Sequence, residues 1–188
     1  MRLCINNQPL EQVSEKKLLG VLINDSLTWD SNTTQIVRNA YKRMTILHRL
    51  SSFGLPTDEM INIYILYIRS VVENCAVVWH SSLTLSNELA IERVQKVALR
   101  IILGDCYLDY ENALNLTKLK TLSERRKDLC LKFAKQCIKN PKTKDMFPEK
   151  QKIVNTRMHE KFYVQPARTE KLRRSAIPYL QRLLNSQK

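Results

Sequence analysis

Glycine is scarce in this sequence. Only three of the 188 residues are glycine, whereas hydrophobic residues make up 44% of the chain. Few glycines imply few tight turns with positive φ angles, and a chain of this length and hydrophobicity can fill a core. The composition therefore predicts a compact, mainly α-helical protein: one domain, or one domain with an appendage.

Signals for export, metal binding and nucleophilic catalysis are also missing. The N-terminus has no continuous apolar segment of a signal peptide. The five cysteines are odd in number and include no C-x-x-C pair, which predicts reduced thiols in an intracellular protein, either nuclear or cytoplasmic. The three histidines (His48, His80 and His159) and the cysteines lack the spacing of a zinc site. No glycine-rich phosphate loop is present, so we predict neither a metal nor a cofactor for this chain.

Acidic residues are outnumbered by basic residues only in the last 71 residues. Residues 1–117 carry 11 Lys/Arg and 12 Asp/Glu, a net charge of −1, whereas residues 118–188 carry 20 and 6, a net charge of +14. Together they give the +13 of the whole chain. Such asymmetry favours an acidic polymer as partner, nucleic acid before membrane. The alternative is a solvated basic tail that binds nothing.

Residues 1–23 have strand character. Leu3 and Ile5 alternate with polar residues, Asn6-Asn7 predicts a turn, and the run from Leu18 to Ile23 predicts a short strand. Two or three short strands are marginal unless they pack on something. We interpret this segment as the edge of a larger sheet.

A first amphipathic helix is predicted from Asp30 or Ser31, either of which is a suitable N-cap, to residue 50. At about 100° per residue, Arg38, Lys42 and Arg49 fall within about 40° of one another on its polar face. This spacing predicts a basic row along the helix.

A helical hairpin is predicted over residues 57–104, with Thr57 as the cap of its first helix. From Met60 to Trp79 the chain is apolar on nearly every side, as in a core helix surrounded by neighbours. Arg69 and Glu73 can pair across one turn, and charges at such positions argue against a membrane span. The second helix, residues 86–103, ends at Gly104. It carries a second basic row: Arg93, Lys96 and Arg100.

The sequence Thr121-Leu122-Ser123-Glu124 matches a capping box and opens another helix, which Asn140-Pro141 ends. Cysteine and apolar residues, among them Cys130, Phe133 and Cys137, share one face. Arg125, Lys132 and Lys139 recur at intervals of seven on another. A short helix is also predicted over residues 110–116. From Asn140-Pro141 to residue 163 the chain is basic and weakly periodic, which predicts partial order. A last helix is expected over residues 177–185.

Several phrases, in this order and spacing, resemble one family. They are LLGVLINDSLTWDSN, RNAYKRMTILHRLSSFGLP, VVENCAVVWHSSLTLSNELAIERVQKVALRIILG, TLSERRKDLCLKFAKQCIKNPK and ARTEKLRRSAIPYLQRLLN. Together they are similar to the C-terminal part of the reverse transcriptase of non-LTR (LINE-type, jockey/CR1-like) retrotransposons, and the resemblance covers essentially the whole chain.

The resemblance implies a position inside a larger polymerase. Residues 1–23 would be a β remnant of the palm, residues 24–140 a helical thumb that clamps the template–primer duplex, and residues 141–188 a basic C-terminal extension with a short helix. The L-G-V segment, with Lys16, Lys17 and Gly20, would lie near the primer end. The family usually has an aromatic residue where this chain has Leu18.

The catalytic residues of such an enzyme are absent from the sequence. Nucleotidyl transfer needs paired carboxylates that hold two Mg²⁺ ions, and the family takes them from an upstream aspartate and an aromatic-Ala-Asp-Asp turn. No Asp-Asp pair occurs here. We therefore expect no polymerase activity from this chain alone, and Mg²⁺ is implied only for a complete polymerase.

Three interpretations follow. The first is a fragment that retains nonspecific nucleic-acid binding through the basic residues named above. The second is a helical protein-interaction module, whose apolar surface, left uncovered by the missing palm, binds a partner or a second copy. The third is the C-terminal end of an active reverse transcriptase whose gene model is truncated. Exposed Lys/Arg-rich helix faces are common in proteins that bind no nucleic acid, so the basic rows alone do not decide among these.

Overall fold

The computed structural model describes residues 4–6, 8–150 and 161–187. Within them the chain is mainly helical, which confirms the predicted fold class. The nine α-helices of these residues are α1 (Asp30–Ser52), α2 (Thr57–Ile63), α3 (Ser70–Val72), α4 (Ala76–Trp79), α5 (Leu85–Leu103), α6 (Tyr110–Thr117), α7 (Leu122–Lys139), α8 (Glu170–Arg174) and α9 (Ala176–Asn185).

Two small antiparallel hairpins precede the helices. Strands β1 (Cys4–Ile5) and β2 (Gln8–Pro9) form the first, and β3 (Glu15–Leu18) and β4 (Val21–Asn24) form the second. Of the predicted Asn6-Asn7 turn, Asn6 has a positive φ of 50°, whereas Leu3 and Asn7 lie outside the described residues.

The prediction of one strand over the apolar run from Leu18 to Ile23 is wrong. Leu19 and Gly20 form a two-residue turn between β3 and β4, with φ angles of 48° and 90°. Positive φ at both central positions is the geometry that matches the twist of a two-residue hairpin, and glycine adopts it without steric cost. The glycine in this phrase therefore divides the run.

The second hairpin packs against the helices through strand β4. Val21 in β4 is buried, and the backbone N–H of Leu22 donates a hydrogen bond to Asn32 Oδ1 (3.2 Å). All four residues of β3 are exposed. The hairpin thus packs against the helices mainly through β4, and the side chains of β3 are exposed.

Helices α1 and α5 pack against each other in the first core. Their N-terminal ends are joined by a hydrogen bond from Asn87 Nδ2 to Asp30 Oδ1 (2.9 Å). This bond gives Asp30 a role other than the N-cap that we had predicted. Trp29 occupies the N-cap position and makes no side-chain cap, and Pro56, not Thr57, precedes α2.

The segment from Met60 to Trp79 is not one continuous helix, contrary to our prediction. It consists of α2, a π-helix (Tyr64–Arg69), α3 and α4, and its axis bends by 45° between Thr57–Val72 and Ala76–Ser82. Cys75 has a positive φ of 51° at the break, and Trp79 Nε1 donates to the carbonyl of Asn74 (3.0 Å).

This segment is also not buried on every side. Tyr64, Ile68 and Val72 are fully buried, but Leu66 is 76% exposed. In the described part of the chain no single helix is long and apolar enough to cross a membrane, although the bent pair above passes that test by length and composition. The predicted ion pair within it is present, with Arg69 Nε 3.7 Å from Glu73 Oε1.

A buried polar network joins α5, α6 and α7. Gln95, fully buried, accepts a hydrogen bond from Tyr64 Oη (2.6 Å) and donates to Tyr110 Oη (2.9 Å). Tyr110 in turn donates to Glu92. The Glu92 carboxylate also accepts from the backbone N–H groups of Leu122 (3.0 Å) and Ser123. A carboxylate at a helix N-terminus satisfies free amides and complements the helix dipole.

The predicted capping box of α7 is confirmed. The Thr121 hydroxyl accepts from the Glu124 N–H (3.2 Å), and the Glu124 carboxylate accepts from the Thr121 N–H (3.1 Å). Helices α5, α6 and α9 lie within one residue of their predicted bounds, and Gly104 is the C-cap of α5.

The basic C-terminal part builds a second core against α7. Cys130 and Cys137 are buried there, as predicted, whereas Phe133, which we had placed on the same face, is 41% exposed. The other buried members of this core come from α7 and from the chain after it: Ala134, Phe147, Phe162, Leu180, Leu183 and Leu184.

Two hydrogen bonds join the chain at Phe162 to the end of α9. Asn185 accepts from the N–H of Phe162 and donates to its carbonyl, both at 2.9 Å. Residues 151–160, part of the stretch for which we predicted partial order, lie outside the described residues. Helix α7 contributes to both cores, because Leu122 lies in the first and Cys130 in the second.

Candidate nucleic-acid interface

Arg38, Lys42 and Arg49 form a row, here called the α1 row, along the outer side of α1. All three are exposed, and the buried face, which includes Ala40 and Leu47, lies on the opposite side of the helix. The row extends about 16 Å at the helical rise of 1.5 Å per residue. Among the described residues, none of the three side chains makes an ion pair or a hydrogen bond.

Acidic side chains are nearly absent from α1. Asp30 is the only one, and it is hydrogen-bonded to Asn87 at the start of the helix. Arg43, which the sequence analysis did not select, adds a fourth cation. Its guanidinium donates to the carbonyl of Tyr67 (2.7 Å) and stacks 4.5 Å from that ring. At about 100° per residue Arg43 lies about 100° or more from the row. Arg38, Lys42 and Arg49 therefore supply the positive charge of the outer side of α1, where the helix carries no acid.

Arg93, Lys96 and Arg100 form the α5 row. Arg93 and Arg100 are exposed and Lys96 is half-buried. Two tyrosines hold two of these cations, because Lys96 Nζ lies 4.9 Å from the Tyr110 ring and the Arg100 guanidinium 5.2 Å from the Tyr107 ring. Cation–π contact fixes a side chain without neutralising its charge, so this row remains cationic. Burial, followed by the hydrogen bond to Glu92, raises the pKa of Tyr110, which therefore stays protonated.

Arg125 does not belong to an open basic surface. Its Nε and Nη2 atoms pair with the two carboxylate oxygens of Glu73 at 3.1 and 3.2 Å, and the hydrogen bond to Glu73 raises its pKa. A bidentate pair of this kind occupies the donor fork that a phosphate would need. Arg125 is therefore not a candidate for contact with phosphate.

Lys132 and Lys139 remain exposed on α7. They border a shallow groove of about 460 Å³, together with Lys135, which the sequence analysis missed. The seven-residue spacing that predicted Lys132 and Lys139 does not include Lys135, because Lys135 lies between them. Asp128 also borders the groove, but its carboxylate is paired with Lys120 (2.7 Å).

The N-terminal candidates lie on the second hairpin. Lys16 and Lys17 are exposed on β3. Gly20 is in the turn, where a Cβ would lie 3.4 Å from Asn74 Nδ2 and the positive φ would strain any other residue. Gly20 therefore shapes the hairpin, and the two lysines supply its charge.

Acidic residues, histidines and thiols are the groups that bear on metal binding and on reactivity. No group of three or more His, Cys, Asp or Glu is placed there to hold a metal ion. All five cysteines are free thiols, and burial raises the pKa of Cys130 to about 11, so this thiol is a poor nucleophile. Trp29 and Trp79 are buried and do not offer a stacking surface.

No protein-family model, curated protein or solved structure matches this chain. The resemblance to retrotransposon reverse transcriptases therefore remains a hypothesis based on the quoted motifs.

Proposed function

We propose that this protein binds the phosphate backbone of duplex nucleic acid, RNA–DNA or DNA, without sequence specificity. The observation that carries the proposal is the α1 row: three exposed cations on one helix face, without an acidic partner among the described residues. A polyanion attracts such a row, and neutralised phosphates release condensed counterions, which favours binding.

The chemistry of the row suits contact with phosphates rather than reading of bases. Sequence is read by side chains that enter a groove and match base edges, whereas contacts to phosphate carry no sequence information directly. A straight row about 16 Å long follows the outside of a helix and can meet several phosphates of one strand. The α5 row and the lysines of α7 would add further phosphate contacts.

We further propose that the chain corresponds to the end of the palm, the thumb and the C-terminal extension of a non-LTR retrotransposon reverse transcriptase. Support comes from the ordered motifs and from the helical character of the segment assigned to the thumb. Without the aspartates of the palm, we expect that the purified protein with Mg²⁺ does not extend a primer. Extension above the level of a mock preparation would contradict this part of the proposal.

The binding proposal is tested by removing the α1 row. The variant Arg38→Gln, Lys42→Gln, Arg49→Gln loses three charges on one face, and its affinity for a labelled duplex at low salt should fall by about tenfold or more. Fluorescence anisotropy with duplexes of unrelated sequence should show the same fall for each.

The matched control removes three other exposed lysines: Lys118→Gln, Lys142→Gln, Lys144→Gln. Both variants have the same net charge, so a loss of affinity confined to the first locates binding on α1. An equal loss in both variants would attribute binding to net charge and contradict a specific surface.

A second candidate function is association through exposed apolar side chains. Phe53 and Leu66 are 79% and 76% exposed, and Leu18 and Leu19 are exposed on the free edge of the second hairpin. Analytical ultracentrifugation tests self-association. A dimer that persists at nanomolar concentration, together with no affinity for nucleic acid, would favour this function over the first.

A further inference from the structure

A cleft of about 500 Å³ lies where the C-terminal helices meet the rest of the molecule. Its walls come from the segment after α4, the first turns of α5 and α7, and helices α8 and α9. Such a volume is within the range of small-molecule sites. We call it the C-terminal cleft and define it by six of its lining residues: Ser81, Glu88, Lys127, Arg174, Tyr179 and Arg182.

Three cations of different elements converge on the C-terminal cleft. Lys127 comes from α7, Arg174 from α8 and Arg182 from α9. Lys127 is 47 or more residues away from either arginine along the chain, so only the fold brings it close to them. No pattern in the sequence groups the three residues for this reason.

Most hydrogen-bond donors of these cations are unused within the described residues. Lys127 makes no ion pair or hydrogen bond there. Arg174 donates to the carbonyl of Leu83 (3.2 Å), and its Nε lies 4.0 Å from Glu170 Oε1. Arg182 donates to the carbonyl of Arg173. Since an arginine has five N–H donors and a lysine three, several donors remain for an anionic ligand.

Backbone contacts hold the arginine side of the cleft in place. The Ser82 hydroxyl donates to the carbonyl of Arg174 (2.8 Å), while Arg174 donates back to the carbonyl of Leu83. Arg173 Nε pairs with Glu170 (2.8 Å) just outside the cleft. The junction between α8 and the segment after α4 is thus fixed from both sides, as a site that must be pre-organised requires.

The lining also contains a hydroxyl, a carboxylate and an aromatic ring. The Ser81 hydroxyl is buried without a hydrogen-bond partner among the described residues. Glu88 has no ion pair there either, and its carboxylate offers an acceptor at the same cleft. Tyr179 contributes an aromatic ring, in edge contact with His80 at 5.8 Å.

We propose that the C-terminal cleft binds a nucleoside phosphate. The phosphate would pair with Lys127, Arg174 and Arg182, while Glu88 accepts a hydrogen bond from a ribose hydroxyl or a base amino group and Tyr179 packs against the nucleoside. Guanidinium groups suit phosphate because their donors form a planar fork. The ligand is either a free nucleotide or the terminal nucleotide of a strand, and the two share this chemistry. The site is separate from the α1 row and does not depend on nucleic-acid binding there.

The test is isothermal titration calorimetry of the full chain. It compares the affinities for a nucleoside monophosphate, the same nucleoside without phosphate, and inorganic phosphate. The nucleoside monophosphate should bind best, because only it engages both the cations and Glu88. Lys127→Gln with Arg182→Gln should weaken its binding by about tenfold or more. The control Arg168→Gln removes an exposed arginine outside the cleft and should leave binding unchanged.

Lys127→Gln alone is the second variant. Because Lys127 is exposed and unpaired in the described residues, this change should leave the fold intact, which a thermal unfolding curve verifies. Equal affinity of this variant and the wild type, or no binding of the nucleoside monophosphate at millimolar concentration, would overturn the proposal.

The two sources are separated by short single strands with a 5′-phosphate or a 5′-hydroxyl. A preference for the phosphorylated strand that disappears in Lys127→Gln identifies a strand end. Binding of the mononucleotide without that preference identifies a free nucleotide. Since the variant of the α1 row keeps the whole cleft, loss of duplex binding in that variant with nucleotide binding retained would separate the two proposals.

Discussion

The side chain of His80 is buried beside a cation. Its Nδ1 accepts a hydrogen bond from Arg126 Nε (3.3 Å). Arg126 itself is fully buried, and neither of its Nη atoms has a hydrogen-bond partner among the described residues. Burial, and then the charges of Arg126 and Lys127, lower the pKa of His80 to about 4. A neutral imidazole is the form that can accept this hydrogen bond at Nδ1, so the bond and the pKa agree.

The pH dependence of stability follows from this pKa. In the unfolded chain His80 has an ordinary pKa near 6.5, so its contribution to stability is fully present above about pH 6.5 and is lost as the pH falls toward about 4. The loss should reach up to about 3 kcal/mol. Urea unfolding at pH 7 and pH 4.5, for the wild type and His80→Asn, measures it.

The comparison of the two proteins isolates His80 from the carboxylates that titrate in the same range. The wild type should lose more free energy of unfolding than His80→Asn between the two pH values, even though the variant is less stable at pH 7. Parallel losses in the two proteins would show that His80 is protonated as easily in the folded state as in the unfolded one.

At the scale of single elements, the start of α7 depends on a residue of another helix. The Glu92 carboxylate of α5 accepts from the backbone N–H groups of Leu122 and Ser123, and Tyr110 donates to the same carboxylate. Glu92 thus connects α5, α6 and α7. Together with the capping box it satisfies the first free amides of α7.

Replacement of this carboxylate should weaken the junction. Glu92→Gln keeps the shape but removes the negative charge at the N-terminus of α7, and we expect a loss of about 1–2 kcal/mol in the free energy of unfolding. Chemical denaturation measures it, with Glu11→Gln, an exposed loop position, as the control. If both variants unfold at the midpoint of the wild type, Glu92 does not stabilise this junction.

Elements with local signals were predictable from the sequence. The T-L-S-E sequence contains both partners of the capping box, and Gly104 marks the end of α5 because glycine tolerates a positive φ. The break at Cys75 had no such signal, since a positive φ at a residue other than glycine is imposed by tertiary packing. The apolar pattern from Met60 to Trp79 therefore indicated one continuous helix.

Contacts between distant parts of the chain could not be predicted in this way. The periodicity of α7 placed Arg125 in a basic row, but its partner Glu73 is 52 residues away. The C-terminal cleft is a similar case, because its cations lie on three helices. Periodicity shows which face of a helix is polar, and only the fold shows what that face meets.

At the scale of the whole molecule, the basic C-terminal third is a structural part of the protein. Phe162 and Leu180 are buried against α7 in the second core. Its apolar residues are few and separated by charged ones, which is why the sequence indicated partial order. Much of the positive charge is thereby held on a folded surface, which suits contact with a polyanion.

The most direct measurement of the central claim is the salt dependence of duplex binding. Each phosphate neutralised on B-form DNA changes the slope of log K against log salt concentration by about −0.9. If the three side chains of the α1 row each contact a phosphate, removal of the row should make the slope shallower by about 2.7, whereas Lys118→Gln, Lys142→Gln, Lys144→Gln should leave it at the wild-type value. A wild-type slope near zero, or the same slope in all three proteins, would contradict the account.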